Sequence, residues 1–137
     1  MDYVLGVVSS IWEEASGGGG RICFVPAGEP APTKMFVMHA FSHETAILMS
    51  KFITGDRASP SIYRMFDTLG EMLGLHVEKV EIYSDDGEIV RGDVFLKGKD
   101  REITMRGYRG ADVVALALYY VSPIFIDIRL FAALPKK

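Results

Sequence analysis

Two charged side chains stand at the entrance of the most apolar stretch of the chain. Arg109 and Asp112 flank Gly110-Ala111 and lead into the run from Val113 to Val121. Three residues apart across a helix start, they are placed to face each other. Asp112 in the first turn is positioned to accept backbone N–H groups, where a negative charge suits the helix dipole. The planar guanidinium of Arg109 suits a carboxylate or a phosphate. One reading is an ion pair that closes the helix start. The other is a grip on phosphate, to which the helix N-terminus adds its own donors. Residue types and spacing leave both open.

Other chemical signals are weaker. His39 and His43 are four apart with Glu44 beside them. A zinc-protease spacing needs both histidines on one helix with the glutamate after the first; here the glutamate follows the second, and His39 falls in a strand. Cys23 has no charged activator nearby in sequence, and no Gly-x-Ser-x-Gly elbow is present. The carboxylate pairs Glu13-Glu14 and Asp85-Asp86 read as solvated. The run Gly17-Gly18-Gly19-Gly20 leads into Arg21-Ile22-Cys23-Phe24-Val25, a strand and not a helix. It therefore reads as a loop tip and not a phosphate cradle. Arg57, Arg64, Arg106 and Arg109 are the candidates for a modest basic patch.

The elements that would position these residues follow from period and punctuation. Tyr3 to Trp12 and Arg21 to Val25 read as strands, the first bulged at Gly6. Lys34 to Phe41 is apolar on both faces and reads as a central strand. Ser42 caps a helix ended by Gly55, with Glu44 in its first turn. Ser59-Pro60 opens a second helix, whose stripe of Ile62, Met65, Phe66, Leu69 and Leu73 runs to Gly74. From Leu75 the period becomes two. Val77 to Tyr83, Glu88 to Lys97 and Arg101 to Arg106 read as strands joined by Asp85-Asp86-Gly87 and Gly98-Lys99-Asp100 turns. Along the middle one, Arg91, Asp93 and Lys97 share the face toward water. A buried helix from Arg109, a stop at Ser122-Pro123 and a strand over Ile124 to Ile126 complete the order. Leu130, Phe131 and Leu134 are available to dock, and Lys136-Lys137 is a solvated tail. The class is α+β: a mostly antiparallel sheet of six to seven strands packed with about three helices.

A chain of 137 residues, 49% of them hydrophobic, is sized for one domain, residues 1–137, with a real core. Its net charge of −3 does not advertise a nucleic-acid partner but leaves room for a local basic patch. No apolar run reaches membrane-spanning length, so no membrane partner is expected. The N-terminal residues lack a signal-peptide pattern, and one cysteine makes no internal disulfide, so a cytoplasmic location is expected. The apolar fraction leaves material for a patch that a homo-oligomer, a dimer or larger, would bury.

From about Met35 to Leu130 the chain resembles the bifunctional nuclease domain family, small proteins with DNase and RNase activity. Arg109-Gly110-Ala111-Asp112-Val113-Val114-Ala115-Leu116-Ala117 is similar to that family's Arg-Pro-Ser-Asp-Ala-Ile-Ala-Leu-Ala, and Pro123-Ile124-Phe125-Ile126 to its Pro-Ile-Phe-Val. Ala46-Ile47 with Gly55, and Ser59-Pro60 through Leu73-Gly74, resemble its two earlier helices. The strand Val77 to Ile82 followed by Asp86-Gly87 resembles its strand and hairpin. The resemblance implies that fold and a nuclease acting on DNA or RNA. Arg109 would bind the scissile phosphate. Asp112, with Glu44, would hold a divalent metal such as Mg²⁺ or Mn²⁺ or position water, and Tyr63 or Arg64 would stabilise charge. The arginines 57, 64, 106 and 109, with Tyr63, would bind nucleic acid. The chain also departs from the pattern. The family's helix-opening glutamate falls at Thr45, its Thr-His-Asp at Ile62-Tyr63-Arg64 and an acidic residue at Gly107. Those departures imply the alternative, a non-catalytic oligomeric binding module on the same fold.

Overall fold

The computed structural model describes residues 2–13, 19–29, 31–84 and 89–133. Along these the elements are β1 (Tyr3–Glu13), β2 (Gly20–Pro26), β3 (Lys34–Phe41), α1 (His43–Ile53), α2 (Ile62–Leu73), β4 (Leu75–Ser84), β5 (Val90–Gly98), β6 (Glu102–Arg109), α3 (Gly110–Tyr120), β7 (Ile124–Asp127), a 3-10 turn (Ile128–Leu130) and the two-residue β8 (Ala132–Ala133). The strands form one sheet in the order β6-β5-β4-β7-β1-β2-β3-β8. Every pairing is antiparallel except β4 with β7. The expected α+β class is therefore what the chain adopts. The Asp85-Asp86-Gly87 turn, Glu14, Gly17-Gly18, Leu134 and the Lys136-Lys137 tail lie outside the described residues.

Register explains why the core lies on one side of the sheet. Directly paired residues share a face. The pairs Val8↔Phe24, Gly6↔Ile124, Val80↔Ile124 and Val80↔Val94 therefore line one face from β2 across to β5. All three helices pack there: Ala46 of α1 closes on Gly20, and Val113 of α3 closes on Gly92. Phe24, Ile82, Ile126, Phe52 and Val114 are fully buried between the layers. Among the described residues, no helix is long and apolar enough to cross a membrane.

Helix α3 is buried nearly all round, and glycines let it sit close. A Cβ on Gly92 would come within 2.7 Å of Val113 Cγ1, and one on Gly110 within 2.7 Å of Val90 Cγ1. The helix ends with Val121 in the left-handed region at φ 56°. Ser122 Oγ then donates to Val77 O at 2.9 Å, which hands the chain to β7 beside β4.

Several local expectations shift. The bulge in β1 lies between Val8 and Ser10, and Gly6 instead makes room for Ile126. Helix α2 starts at Ile62, because Ser61 and not Ser59 accepts the capping bond, from the Arg64 N–H at 3.2 Å. Its stripe turns outward except at Phe66, which packs against the core. Tyr63 and Gly70 are the buried residues of α2, while Ile62, Met65, Leu69, Met72 and Leu73 are half to four-fifths exposed. Strand β3 is not central; its outer neighbour is the two-residue β8. Asp93 does not face water. Its carboxylate accepts from Tyr83 Oη at 2.7 Å, Gly107 N at 2.9 Å and Arg106 Nη1 at 3.1 Å, filling the bulge where β6 spends two residues against one of β5. Ser42 caps α1 as expected, accepting from Thr45 N at 3.1 Å, and Leu130 and Phe131 dock on the core.

Two outcomes follow. Gly92→Ala forces Cβ against Val113 and should lower the urea midpoint by an amount worth about 1–3 kcal/mol. Asp127, fully buried, accepts from Arg129 Nη2 at 2.7 Å, and the guanidinium holds its carboxyl below the usual range despite the burial that opposes this. A depressed folded pKa means stability that is present above about pH 4 and lost as pH falls through the folded value. Denaturation across the acid range should therefore be flatter for Asp127→Asn than for the wild-type chain.

Candidate functional site

The first turns of α1 and α3 and the segment before α2 meet at one cleft of about 520 Å³. Glu44 and Thr45 come from α1, Ser59 and Ser61 precede α2, and Tyr63 and Asp112 close the inner side. Lys51 reaches in from the far end of α1, its Nζ donating to Ser59 Oγ at 3.1 Å. Glu44 and Asp112, 68 positions apart in the chain, thus line one hollow because α1 and α3 start side by side.

The pair at the mouth of α3 is closed. Arg109 Nε donates to Asp112 Oδ2 at 3.1 Å and Nη2 to Oδ1 at 3.0 Å, a fork on a fork. Arg109 precedes the helix without a side-chain capping bond, so Asp112 takes the guanidinium where backbone N–H groups were expected. Both groups are open to water, at 70% and 47% side-chain exposure, so the bond is exchangeable. Arg109 also lines a second hollow of about 350 Å³ with His39, Met38 and Phe41. The ion pair therefore stands between two clefts, one reached by each partner.

Tyr63 is 7% exposed, its ring edge-on to Phe52 at 5.6 Å. Burial pushes its phenol up to about 12; the Asp112 charge adds to this and Arg109 offsets part of it. At neutral pH it is a proton-bearing hydrogen-bond donor at the wall of the cleft. Below it a small apolar pocket of about 180 Å³ runs between Ile62, Phe66, Met105 and Tyr108.

Three of the remaining expected residues bond to the protein itself. Arg57 is a clamp: Nε donates to Tyr119 O, and Nη2 to Leu118 O at 3.2 Å and Phe52 O at 3.3 Å. It ties the last turns of α1 and α3 together. Arg64 donates to Ala58 O at 2.9 Å, and Arg106 is held by Asp93. His43, the first residue of α1, is exposed. Cys23 is buried with Sγ 3.8 Å from Met35 Sδ, a packing role. Among the described residues, no group of three or more His, Cys, Asp or Glu side chains could hold a metal ion. Lys51 and Ser61 were not singled out as site residues by sequence reasoning, and His39 was weighed only as a metal ligand with His43. Ser61 enters at the start of α2 and Lys51 from the far end of α1, a meeting that single-chain spacing does not encode.

Removing the Asp112 charge tests its coupling to Arg109 and Tyr63. Asp112→Asn should cost at most about 1 kcal/mol, as exposed pairs do, and should draw the Tyr63 titration down toward the ordinary tyrosine value. A raised phenol pKa contributes stability that is full below about pH 10 and is lost as pH rises through about 12. Tyr63→Phe should therefore blunt part of the alkaline unfolding, followed by tyrosinate absorbance and circular dichroism together.

No family model matches the chain, and no curated protein matches it at a significant level.

Proposed function

We propose that the chain acts on phosphodiester bonds of DNA or RNA at the cleft between the starts of α1, α2 and α3. The observation that carries this reading is the convergence of Glu44 and Asp112 on one hollow, beside the exchangeable guanidinium of Arg109. A phosphate competes with a carboxylate for the same planar fork. When Arg109 turns from Asp112 to a phosphate oxygen, the Asp112 carboxylate is released into the cleft. It then has a free oxygen to orient or deprotonate water. Tyr63 keeps its proton and donates to a developing negative charge, and Ser61 and Lys51 line the same cleft with donors of their own.

Mg²⁺ takes one or two carboxylates and fills its other positions with water and substrate phosphate. Glu44 and Asp112 supply that number once Arg109 has moved, so these two would hold a Mg²⁺ or Mn²⁺ ion. Bound there, the ion would neutralise charge on the phosphate. The reading places the protein in the cytoplasm, where nucleic acid is available and Cys23 stays reduced.

A second reading has its own observation. With both Asp112 oxygens on Arg109, and Arg57 and Arg106 committed to structural partners, the same fold serves as a binding module without chemistry.

Purified protein incubated with single-stranded and duplex DNA and RNA, with Mg²⁺, Mn²⁺ or EDTA, separates the two. Nuclease action predicts cleavage that falls at least tenfold in Asp112→Asn and in Glu44→Gln, each still folded. Equal cleavage by the variants sinks the site. Salt-dependent binding by wild type with no cleavage under any metal transfers the assignment to the binding module.

A further inference from the structure

Helix α2 and strand β6 leave two kinds of unmet bonding on the same edge of the molecule. Strand β6 is an outermost strand, and among the described residues no element pairs with its outer side. The α2 stripe of Ile62, Met65, Leu69, Met72 and Leu73 faces outward beside it. Register puts the apolar residues of β6 on the helix side. Ile103, Met105 and Tyr108 pair with Leu96, Val94 and Gly92, whose face carries α3. The helix lies along the strand in the opposite direction. Ile62 shares a pocket with Tyr108 at one end, and Leu73 O accepts from Arg101 Nη2 at 3.0 Å at the other. Thr104 therefore lies opposite the middle of α2.

We propose that this edge is the seam of a two-fold homodimer, in which β6 pairs antiparallel with its own copy and the two α2 stripes pack on each other.

Three features select a second copy as occupant. The first is backbone parity. The turn at Lys99-Asp100 is closed by Gly98 N donating to Arg101 O at 2.9 Å. Alternation along the ladder then turns the N–H and C=O of Ile103 and Met105 toward β5 and those of Glu102 and Thr104 outward. The second is side-chain complementarity in the register that outward Thr104 permits. With Thr104 on the dyad, Glu102 falls opposite Arg106 of the copy and Ile103 opposite its Met105. Opposite charges meet on one face and apolar side chains on the other. Arg106 remains 70% exposed while bound to Asp93, so it has donors to give. The third is area. The exposed parts of the five stripe residues with Ile103 and Tyr108 amount to on the order of 800 Å², one partner's share of a standard interface. A dyad normal to the sheet at Thr104 sets the two α2 helices antiparallel along the seam, stripe to stripe.

The test is solution mass by light scattering and sedimentation at micromolar concentration, with three variants. Wild type should weigh twice 15.2 kDa. Met65→Glu with Leu69→Glu, changes at exposed positions, should give a folded monomer. Glu102→Lys sets two cations opposite each other and should weaken the dimer at least tenfold. Thr104→Cys should form an inter-chain disulfide on mild oxidation, since a hydrogen-bonded cross-strand pair holds its Cα atoms about 5.5 Å apart, within disulfide reach. A wild-type monomer at a hundred micromolar overturns the proposal and leaves the face to a different protein. A dimer that survives the stripe variant, or that fails to cross-link through Thr104→Cys, overturns it as well and assigns assembly to another surface.

Discussion

Everything in this molecule is arranged around the need to bury α3. The helix carries one charge, Asp112, and that in its first turn; beyond it each residue through Tyr120 is buried or half-buried. Such a helix is stable only where apolar surface meets it on several sides. Gly92 and Gly110 bring it into contact with β5, and α1 covers its flank through Phe52, whose ring stands edge-on to Tyr119. The sheet must therefore have one helical face. Ser122 must reach back to Val77, and β7 is delivered parallel to β4. The parallel pair in an otherwise antiparallel sheet is a by-product of the crossover through α3.

Where local chemistry decided the outcome, it was legible in the residues. Ser42, the period-two stretch after Leu75, and the stop at Ser122-Pro123 each carry their own signal, and the elements form there. Where two parts of the chain compete for a surface, the residues gave no ranking. The stripe on α2 is the clearest case. Its periodicity announces a helix but not which side of the helix finds the core. Tyr63, Phe66, Asp67 and Gly70 form the face that packs, with Gly70 lying close against Leu75 O. Asp93 is the converse. Strict alternation assigns it to water, and only the bulge at Arg106-Gly107 turns donors toward its carboxylate.

The same distinction applies to the site. Arg109 and Asp112 are neighbours along one helix start, so their meeting follows from spacing. Glu44 and Lys51 join them through tertiary packing, while Arg57 leaves the set because helix ends need donors more than the surface needs charge. An arginine read as a phosphate ligand and one that satisfies three backbone carbonyls are the same residue type, and burial separates them.

The clamp at Arg57 has an electrical consequence. It joins the last turns of α1 and α3, and the first turns of the same helices share the cleft of Glu44 and Asp112. The two helices therefore run parallel, like poles together. Side-by-side dipoles in this sense repel, and the chain places a cation between the negative ends and a carboxylate on each positive end. The cleft is thus a site where two positive ends are held near neutrality by two removable charges. Displacing either carboxylate uncovers a field that attracts anions, so the hollow strengthens its hold on an anion as its own acids are engaged elsewhere.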